Sequence, residues 1–188
     1  MATTKLITEA KLKKILPRLS QDEMIGLVTE MSAKITSARE FLTIRFGEIA
    51  SETEICEKYK AIIENEYFPK RGLGRASTKV AKAAIADFKK VCSDKALYID
   101  ILLFYVEQCV EFTDTYGDID EPFYNSAESV YAQAVKEINV TGYNVYSQFA
   151  KRLRDIVANA CKGWYFQGSL QEIHDELLFL EDEDDADN

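Results

Sequence analysis

The chain is short of the residues that interrupt helices and of those that perform common catalytic chemistry. Its 188 residues include three prolines and eight glycines, which leaves room for long helices. The single histidine, His174, argues against a carboxylate-bridged di-iron site, because such sites use Glu-x-x-His pairs and the sequence has none. Ser-His-Asp or Cys-His catalysis would need the same histidine, and no serine has a nucleophile-elbow motif. We therefore expect a protein that is not an enzyme, with His174 as a partly exposed helix residue.

The chain also lacks a paired-cysteine motif and a long apolar run. No CxxC occurs, so we expect reduced and mostly buried thiols, as in a cytosolic protein, at Cys56, Cys92, Cys109 and Cys161. No apolar stretch follows basic residues at the N-terminus, so no signal peptide is predicted. The longest apolar block, 101–106, is too short to cross a membrane. These features predict a cytoplasmic location and no membrane partner.

Negative charge is concentrated at the end of the chain. The net charge is −9, and residues 181–188 carry six of the acidic side chains. Such a run repels itself and buries nothing, so we predict a single helical domain over 1–180 and a disordered acidic tail over 181–188. A mimic of nucleic acid, or a hook for a basic partner, is the functional alternative for the tail. The acidic balance makes sequence-specific DNA binding an unexpected function.

Helical patterns fill the rest of the chain. Hydroxyl residues followed three positions later by a carboxylate predict helix starts at Ser20, Ser37, Ser51 and Ser169. Pro17, Pro69, Gly117 and Gly163 predict helix ends. We predict an all-α, single-domain stack or bundle of antiparallel helical hairpins, with about nine helices near 6–16, 21–34, 37–49, 52–66, 77–92, 94–116, 121–138, 142–161 and 169–180.

The helix near 94–116 is predicted to be the centre of this bundle. It is apolar on nearly every side, and its acidic residues fall within one narrow stripe at 100° per residue. The members of the stripe are Asp100, Glu107, Glu111 and Asp114.

The stripe leads to an elbow, Tyr116–Ser126, that crowds acidic and aromatic side chains together. It supplies a candidate ligand or ion site formed by Asp114, Asp118, Asp120, Glu121 and Tyr124. A calcium loop does not fit, because no glutamate stands at the twelfth position and no glycine at the sixth. The alternative is structural: the acids precede a helix whose positive end they stabilise, and Pro122 suits a first turn. No metal ion and no cofactor is predicted.

A basic, glycine-containing loop at 69–79 precedes another helix. It supplies a candidate anion-binding loop with Lys70, Arg71, Arg75 and Lys79, since a helix N-terminus can bind phosphate. The loop lacks both the P-loop order and the G-x-G-x-x-G order. The alternative is a mobile loop that pairs with acidic side chains of the same protein.

Two resemblances concern the architecture. The first is local: the pattern Ala127-x-x-x-Tyr131-x-x-Ala134-Val135 resembles the second helix of a tetratricopeptide repeat, in which small residues allow helices to approach closely. No 34-residue repeat recurs, so only a locally similar helical hairpin is expected.

The second resemblance is to an uncharacterised bacterial family, a domain of unknown function common in Bacteroidetes. It rests on segments 12–27, 66–70, 81–89, 105–112 and 116–126, and it would cover most of residues 10–160. It implies a compact all-helical protein and carries no activity, substrate or catalytic residue.

These observations predict a non-enzymatic, cytoplasmic interaction or scaffold protein whose partner is another protein. The alternative is a ligand-, anion- or cation-binding protein, or an unrecognised enzyme, that uses the elbow near Asp118 and the loop near Arg71. The oligomeric state stays open.

Overall fold

The described part of the chain consists of helices and their connections. The computed structural model describes residues 6–47 and 50–180, but not the side chains of residues 50 and 51. Within these ranges no strand occurs, and the prediction of an all-α fold with packed helix pairs is confirmed. The α-helices are α1 (Glu9–Ile15), α2 (Gln21–Lys34), α3 (Thr36–Phe46), α4 (Ala50–Tyr67), α5 (Thr78–Val91), α6 (Lys95–Tyr116), α7 (Glu121–Thr141), α8 (Tyr143–Asn159) and α9 (Phe166–His174). Two 3₁₀-helices span Leu16–Arg18 and Gly163–Tyr165. The predicted acidic tail, 181–188, lies outside the described residues.

Side chains begin several helices by accepting hydrogen bonds from first-turn amides. At α2 the predicted capping box is present: the Glu23 amide donates to the Ser20 hydroxyl (3.2 Å), and the Ser20 amide donates to the Glu23 carboxylate (2.7 Å). Asp94 accepts from two amides at the start of α6. Gly117 has a φ of +84° and ends α6, as predicted.

Three of the predicted helix starts are wrong, and one of them is Ser51, which lies inside α4. Ser37 lies inside α3, which begins after Ile35 without a side-chain cap. Ser169 lies inside α9, which begins at Phe166. The Phe166 ring is fully buried, so packing of this ring rather than a hydroxyl cap sets the start of α9. The helix also ends earlier than predicted, at His174, and turns follow it.

α6 forms the centre of the core, as its apolar composition predicts. It packs against α4, α5, α7 and α8, and most of its side chains between Tyr98 and Thr113 are buried. Leu102 is fully buried, and truncating such a side chain to alanine costs roughly 2–5 kcal/mol. Ala127 and Ala134 of α7 are also fully buried, which agrees with close approach of helices at small residues. No described helix is long and apolar enough to cross a membrane.

The first three helices, called here the N-terminal unit (6–47), differ from this core. α1 and α2 contain no buried residue, and Glu40 is the one buried residue of α3. α2 packs against α3, and α3 packs against α4 and α5. The N-terminal unit is therefore joined to the body chiefly along α3.

Candidate functional site

The elbow between α6 and α7 has the structural role that the sequence offered as one of two alternatives. Asp120 is the N-cap of α7 and accepts from the Phe123 amide at 3.0 Å. Glu121 and Pro122 follow in the first turn, where a carboxylate meets the positive end of the helix and proline loses no hydrogen bond. These contacts account for Asp120 and Glu121 without a ligand.

Asp118 makes a different contact. The Tyr124 hydroxyl donates to its carboxylate at 2.5 Å, and the same hydroxyl accepts from the Ile119 amide at 3.3 Å. Burial, and then this hydrogen bond to Asp118, raise the pKa of Tyr124, so the hydroxyl stays protonated. Asp118 also lies against Gly163, where an added Cβ would come within 2.5 Å of its Oδ1 atom. Glycine at 163 therefore leaves the space that the Asp118 carboxylate occupies.

The connection beyond Gly163 was predicted wrongly. Gly163 was expected to end the eighth helix with a left-handed residue, but α8 ends at Asn159 and Gly163 opens a 3₁₀-helix. The positive φ angles belong to Trp164 (51°) and Tyr165 (59°) instead. Two consecutive aromatic residues with left-handed backbone are unusual, and both side chains are exposed. The sequence does not indicate these positive φ angles, because left-handed backbone is ordinarily predicted at glycine or asparagine.

The acidic stripe of α6 divides into two halves. In the first half, Arg152 of α8 binds both Asp100 (2.5 Å) and, through two nitrogens, Glu107 (2.7 and 2.8 Å). Burial lowers the pKa of Arg152, but the two carboxylates outweigh it and raise the pKa overall. Lys60 of α4 adds a second cation beside Asp100, at 2.6 Å. This half of the stripe is neutralised by the protein's own side chains.

The second half of the stripe borders an open groove between α6 and α8, called here the acidic groove. Its volume is about 380 Å³, and its lining residues are Glu107, Val110, Glu111, Asp114, Asp155, Ile156 and Asn159. Of the five residues predicted for the elbow site, only Asp114 lines it. The structure therefore places Asp114 in a different environment from Asp118, Asp120, Glu121 and Tyr124.

Among the described residues, one group has three potential metal ligands close together. Donor atoms of Cys56, Glu57 and Asp100 lie within 4.8 Å of one another. The Lys60 ammonium lies 2.8 Å from Glu57 and 2.6 Å from Asp100, so it already supplies the positive charge that a cation would bring. Burial raises the pKa of the Cys56 thiol to about 12, which disfavours the thiolate that metals bind. The group is an ion-pair cluster centred on lysine.

The basic loop uses its backbone for internal hydrogen bonds. The amides of Arg75 and Ala76 donate to the Glu66 carbonyl at 2.9 and 3.1 Å. The Ser77 amide donates to the Glu66 carboxylate at 3.3 Å, and Ser77 caps α5. These amides are the groups that would otherwise face an anion. The four basic side chains predicted for anion binding are all exposed: Lys70, Arg71, Arg75 and Lys79.

His174 is buried, which corrects the expectation of a partly exposed residue. Its Nδ1 atom lies 3.0 Å from the Tyr131 hydroxyl, which also donates to the Leu153 carbonyl at 3.2 Å. The acidic neighbours of His174 in sequence suggested an exposed helix face, but α9 turns this residue toward α7. The contact joins α7, α8 and α9.

One feature that sequence reasoning missed is an apolar groove in the N-terminal unit. It lies between α2 and α3 and reaches the end of α5, and its volume is about 450 Å³. The lining residues are Val28, Met31, Ile35, Ser37, Ala38, Phe41, Leu42, Lys90 and Val91. Val28, Met31, Ile35 and Phe41 are each between 44% and 51% exposed. Periodicity alone cannot reveal such a groove, because an apolar stripe looks the same whether or not it is covered.

Comparison with protein families places the chain in one of them. The family model matches residues 7–177. The chain belongs to DUF6155, a family of unknown function. No curated protein and no solved structure matches it.

The DUF6155 match begins before α1 and ends after α9. The N-terminal unit therefore belongs to the family domain and is not an appended segment. The match also extends further at both ends than the 10–160 range that the resemblance implied. The function of the family is unknown, so function has to be argued from the surface of this chain.

Proposed function

We propose that this DUF6155 protein is a non-enzymatic protein-interaction module whose binding surface is the apolar groove of the N-terminal unit. The observation that supports it is the amount of apolar surface that α2 and α3 leave open to solvent. Met24, Ile25 and Leu27 add to the exposed groove residues, with exposed fractions of 42%, 56% and 39%. Single exposed apolar side chains are ordinary, but a contiguous set of this size is typical of protein-binding sites.

The composition of the groove also fits a protein partner. Methionine is flexible and polarisable, so it adapts to different packing partners, and both described methionines, Met24 and Met31, are exposed on α2. A groove between two helices is the shape that accepts an amphipathic helix. The groove is lined almost entirely by apolar atoms, which suits an apolar helix face better than a polar metabolite.

The test is site-specific photocrosslinking in the cells that make the protein. A photoreactive amino acid replaces Val28 or Met31 in the groove, or Val140 of α7 as a control, which is 76% exposed and does not line the groove. We expect a defined protein adduct, identified by mass spectrometry, at both groove positions and not at Val140. The adduct at Val28 should disappear when Met31→Glu is added. Absence of an adduct at both groove positions would overturn the proposal.

The alternative from the sequence, a ligand-, anion- or cation-binding site or an unrecognised active site at the elbow, stays a prediction. A thermal-shift series with divalent cations, nucleotides and phosphate tests it, because a ligand that binds the folded state raises the melting temperature with concentration. A rise that vanishes in Asp118→Ala and Asp120→Ala would favour this alternative. We also propose a cytoplasmic setting, which the buried free thiols of Cys56 and Cys109 support. A bacterial source is proposed from the resemblance of the sequence alone.

A further inference from the structure

We infer that the occupant of the apolar groove is a second copy of this chain, so that two N-terminal units pack together about a two-fold axis as a four-helix bundle. This inference rests on the proposed function and adds the identity of the partner. In the bundle, α2 of each copy lies in the groove between α2 and α3 of the other copy.

The position of the apolar residues on α2 supports this arrangement. At 100° per residue, Met24, Leu27, Val28 and Met31 lie on one face of α2. Ile35 follows directly as the C-cap residue, and Val28, Met31 and Ile35 line the groove. α3 covers this face only in part, because every one of these five residues is more than a third exposed. A helix that has this stripe and one partial neighbour needs a second neighbour to bury it.

The charges along α2 are complementary under a two-fold rotation. Its first turn carries Asp22 and Glu23, and its last turn carries Lys34. Two α2 helices related by a two-fold axis near Leu27 and Val28 run antiparallel. At 100° per residue, Glu23 and Lys34 lie on the same side of the apolar stripe, whereas Asp22 lies on the opposite face. Glu23 of each copy then lies beside Lys34 of the other copy, which also pairs with Glu30 of its own helix, and the helix dipoles oppose favourably. A parallel arrangement would place like charges together.

The area is sufficient for a stable pair. Seven apolar side chains of the N-terminal unit are between 39% and 56% exposed: Met24, Ile25, Leu27, Val28, Met31, Ile35 and Phe41. Their burial would remove on the order of 1,000 Å² of surface from water in two copies, which is near the lower limit of specific interfaces. The residues outside the described ranges contribute only two large apolar side chains, Met1 and Ile49. The groove face of another copy can supply this apolar cover, because its own side chains are left exposed in the same way.

The experiment is sedimentation equilibrium of the purified full-length chain over a wide concentration range. We expect a monomer–dimer equilibrium in the unaltered chain. Met31→Glu and Val28→Asp should each weaken dimerisation at least tenfold, because each places a charge in the apolar interface. Val140→Glu, an equally drastic change at an exposed residue outside the groove, should leave the dimer unchanged. Circular dichroism should show unchanged helix content in all variants.

A second measurement keeps the inference open to failure. Leu27→Cys lies near the axis, so oxidation should give a disulfide-linked dimer, whereas Val140→Cys should not. A chain that stays monomeric at every concentration and forms no Leu27→Cys dimer overturns the inference. If the groove positions nevertheless crosslink to a different protein in cells, the proposed function stands and only the partner was misassigned. If they crosslink to nothing, both fail.

Discussion

The Tyr59 hydroxyl of α4 donates a 2.7 Å hydrogen bond to the Glu40 carboxylate of α3. Glu40 is only 6% exposed, and the Lys58 ammonium forms a close ion pair with the same carboxylate. Burial, and then the hydrogen bond to Glu40, raise the pKa of Tyr59, so the hydroxyl remains a donor at any physiological pH. This polar contact ties the N-terminal unit to the body and so sets the position of the apolar groove.

Replacing Glu40 should loosen this attachment. Glu40→Ala leaves the buried Tyr59 hydroxyl without its acceptor, which costs about 1–3 kcal/mol. Hydrogen exchange should accelerate in α2 and α3, because α2 buries no residue and α3 buries only Glu40. Exchange in α6 should stay slow. Glu30→Ala is the control, since Glu30 is exposed and pairs with Lys34 on the same helix. Equal exchange rates in both variants would contradict a tethering role for Glu40.

Glu52 should make stability depend on pH. Its carboxylate accepts from the amides of Ser93 (2.6 Å) and Asp94 (2.9 Å), which fixes the turn between α5 and α6. Burial raises the pKa of Glu52, but these hydrogen bonds outweigh it and lower the pKa below its ordinary value of 4.5. The stabilisation is therefore complete above that value and is lost as pH falls through the lowered pKa.

Melting temperatures of Glu52→Gln measure this effect. The variant should melt below the unaltered chain at pH 7. This difference in melting temperature should narrow as pH falls below 4.5 and through the lowered pKa of Glu52, where the native carboxylate becomes protonated. Glu54→Gln, at an exposed position of the same helix, is the control and should shift little at any pH. A gap that stays constant with pH would show that the charge of Glu52 is not what holds the turn.

Arg152 should stabilise the contact between α6 and α8. Arg152→Met keeps the hydrocarbon bulk but leaves the carboxylates of Asp100 and Glu107 without this cation. The side chain is 30% exposed, so we expect a loss of about 1–3 kcal/mol in urea unfolding, less than for a fully buried pair. The control is Lys151→Met, at the residue next to Arg152. It removes an exposed ion pair with Asp155 and should cost less than about 0.5 kcal/mol. Equal losses would mean that Arg152 contributes no more than a surface charge.

Two glycines should respond to alanine in opposite directions. In Gly74→Ala the new Cβ would lie 1.8 Å from the Tyr67 carbonyl oxygen, so the backbone must move, at a cost of about 1–3 kcal/mol or more. Gly26 has open space around the added atom and lies mid-helix in α2, opposite the groove face, so Gly26→Ala should stabilise by about 0.5–1 kcal/mol. Thermal unfolding checks both signs. A harmless Gly74→Ala would show that the basic loop does not pack against α4 in solution.

At the elbow, contacts between neighbours in the chain were predictable from the sequence, and the contact between distant residues was not. The N-cap role of Asp120 and the helix end at Gly117 were predictable, because both depend on residues within four positions in the chain. The contact between Asp118 and Gly163 was not, because it joins residues 45 positions apart across a turn whose left-handed backbone falls on aromatic residues. His174 was misjudged for the same reason, since its burial depends on where α7 lies.

By itself, the sequence determined which segments are helical and which helix is central. The first amides of a helix need hydrogen-bond acceptors within one turn of the chain. A helix that is apolar on nearly every side, as α6 is, is stable only when other helices pack around it. Tertiary structure decided which of the remaining surfaces are covered. Arg152 neutralises half of the acidic stripe, whereas the stripe of Met24, Val28 and Met31 on α2 is left half open. Both outcomes depend on the relative placement of whole helices, and periodicity within one helix carries no information about its neighbours.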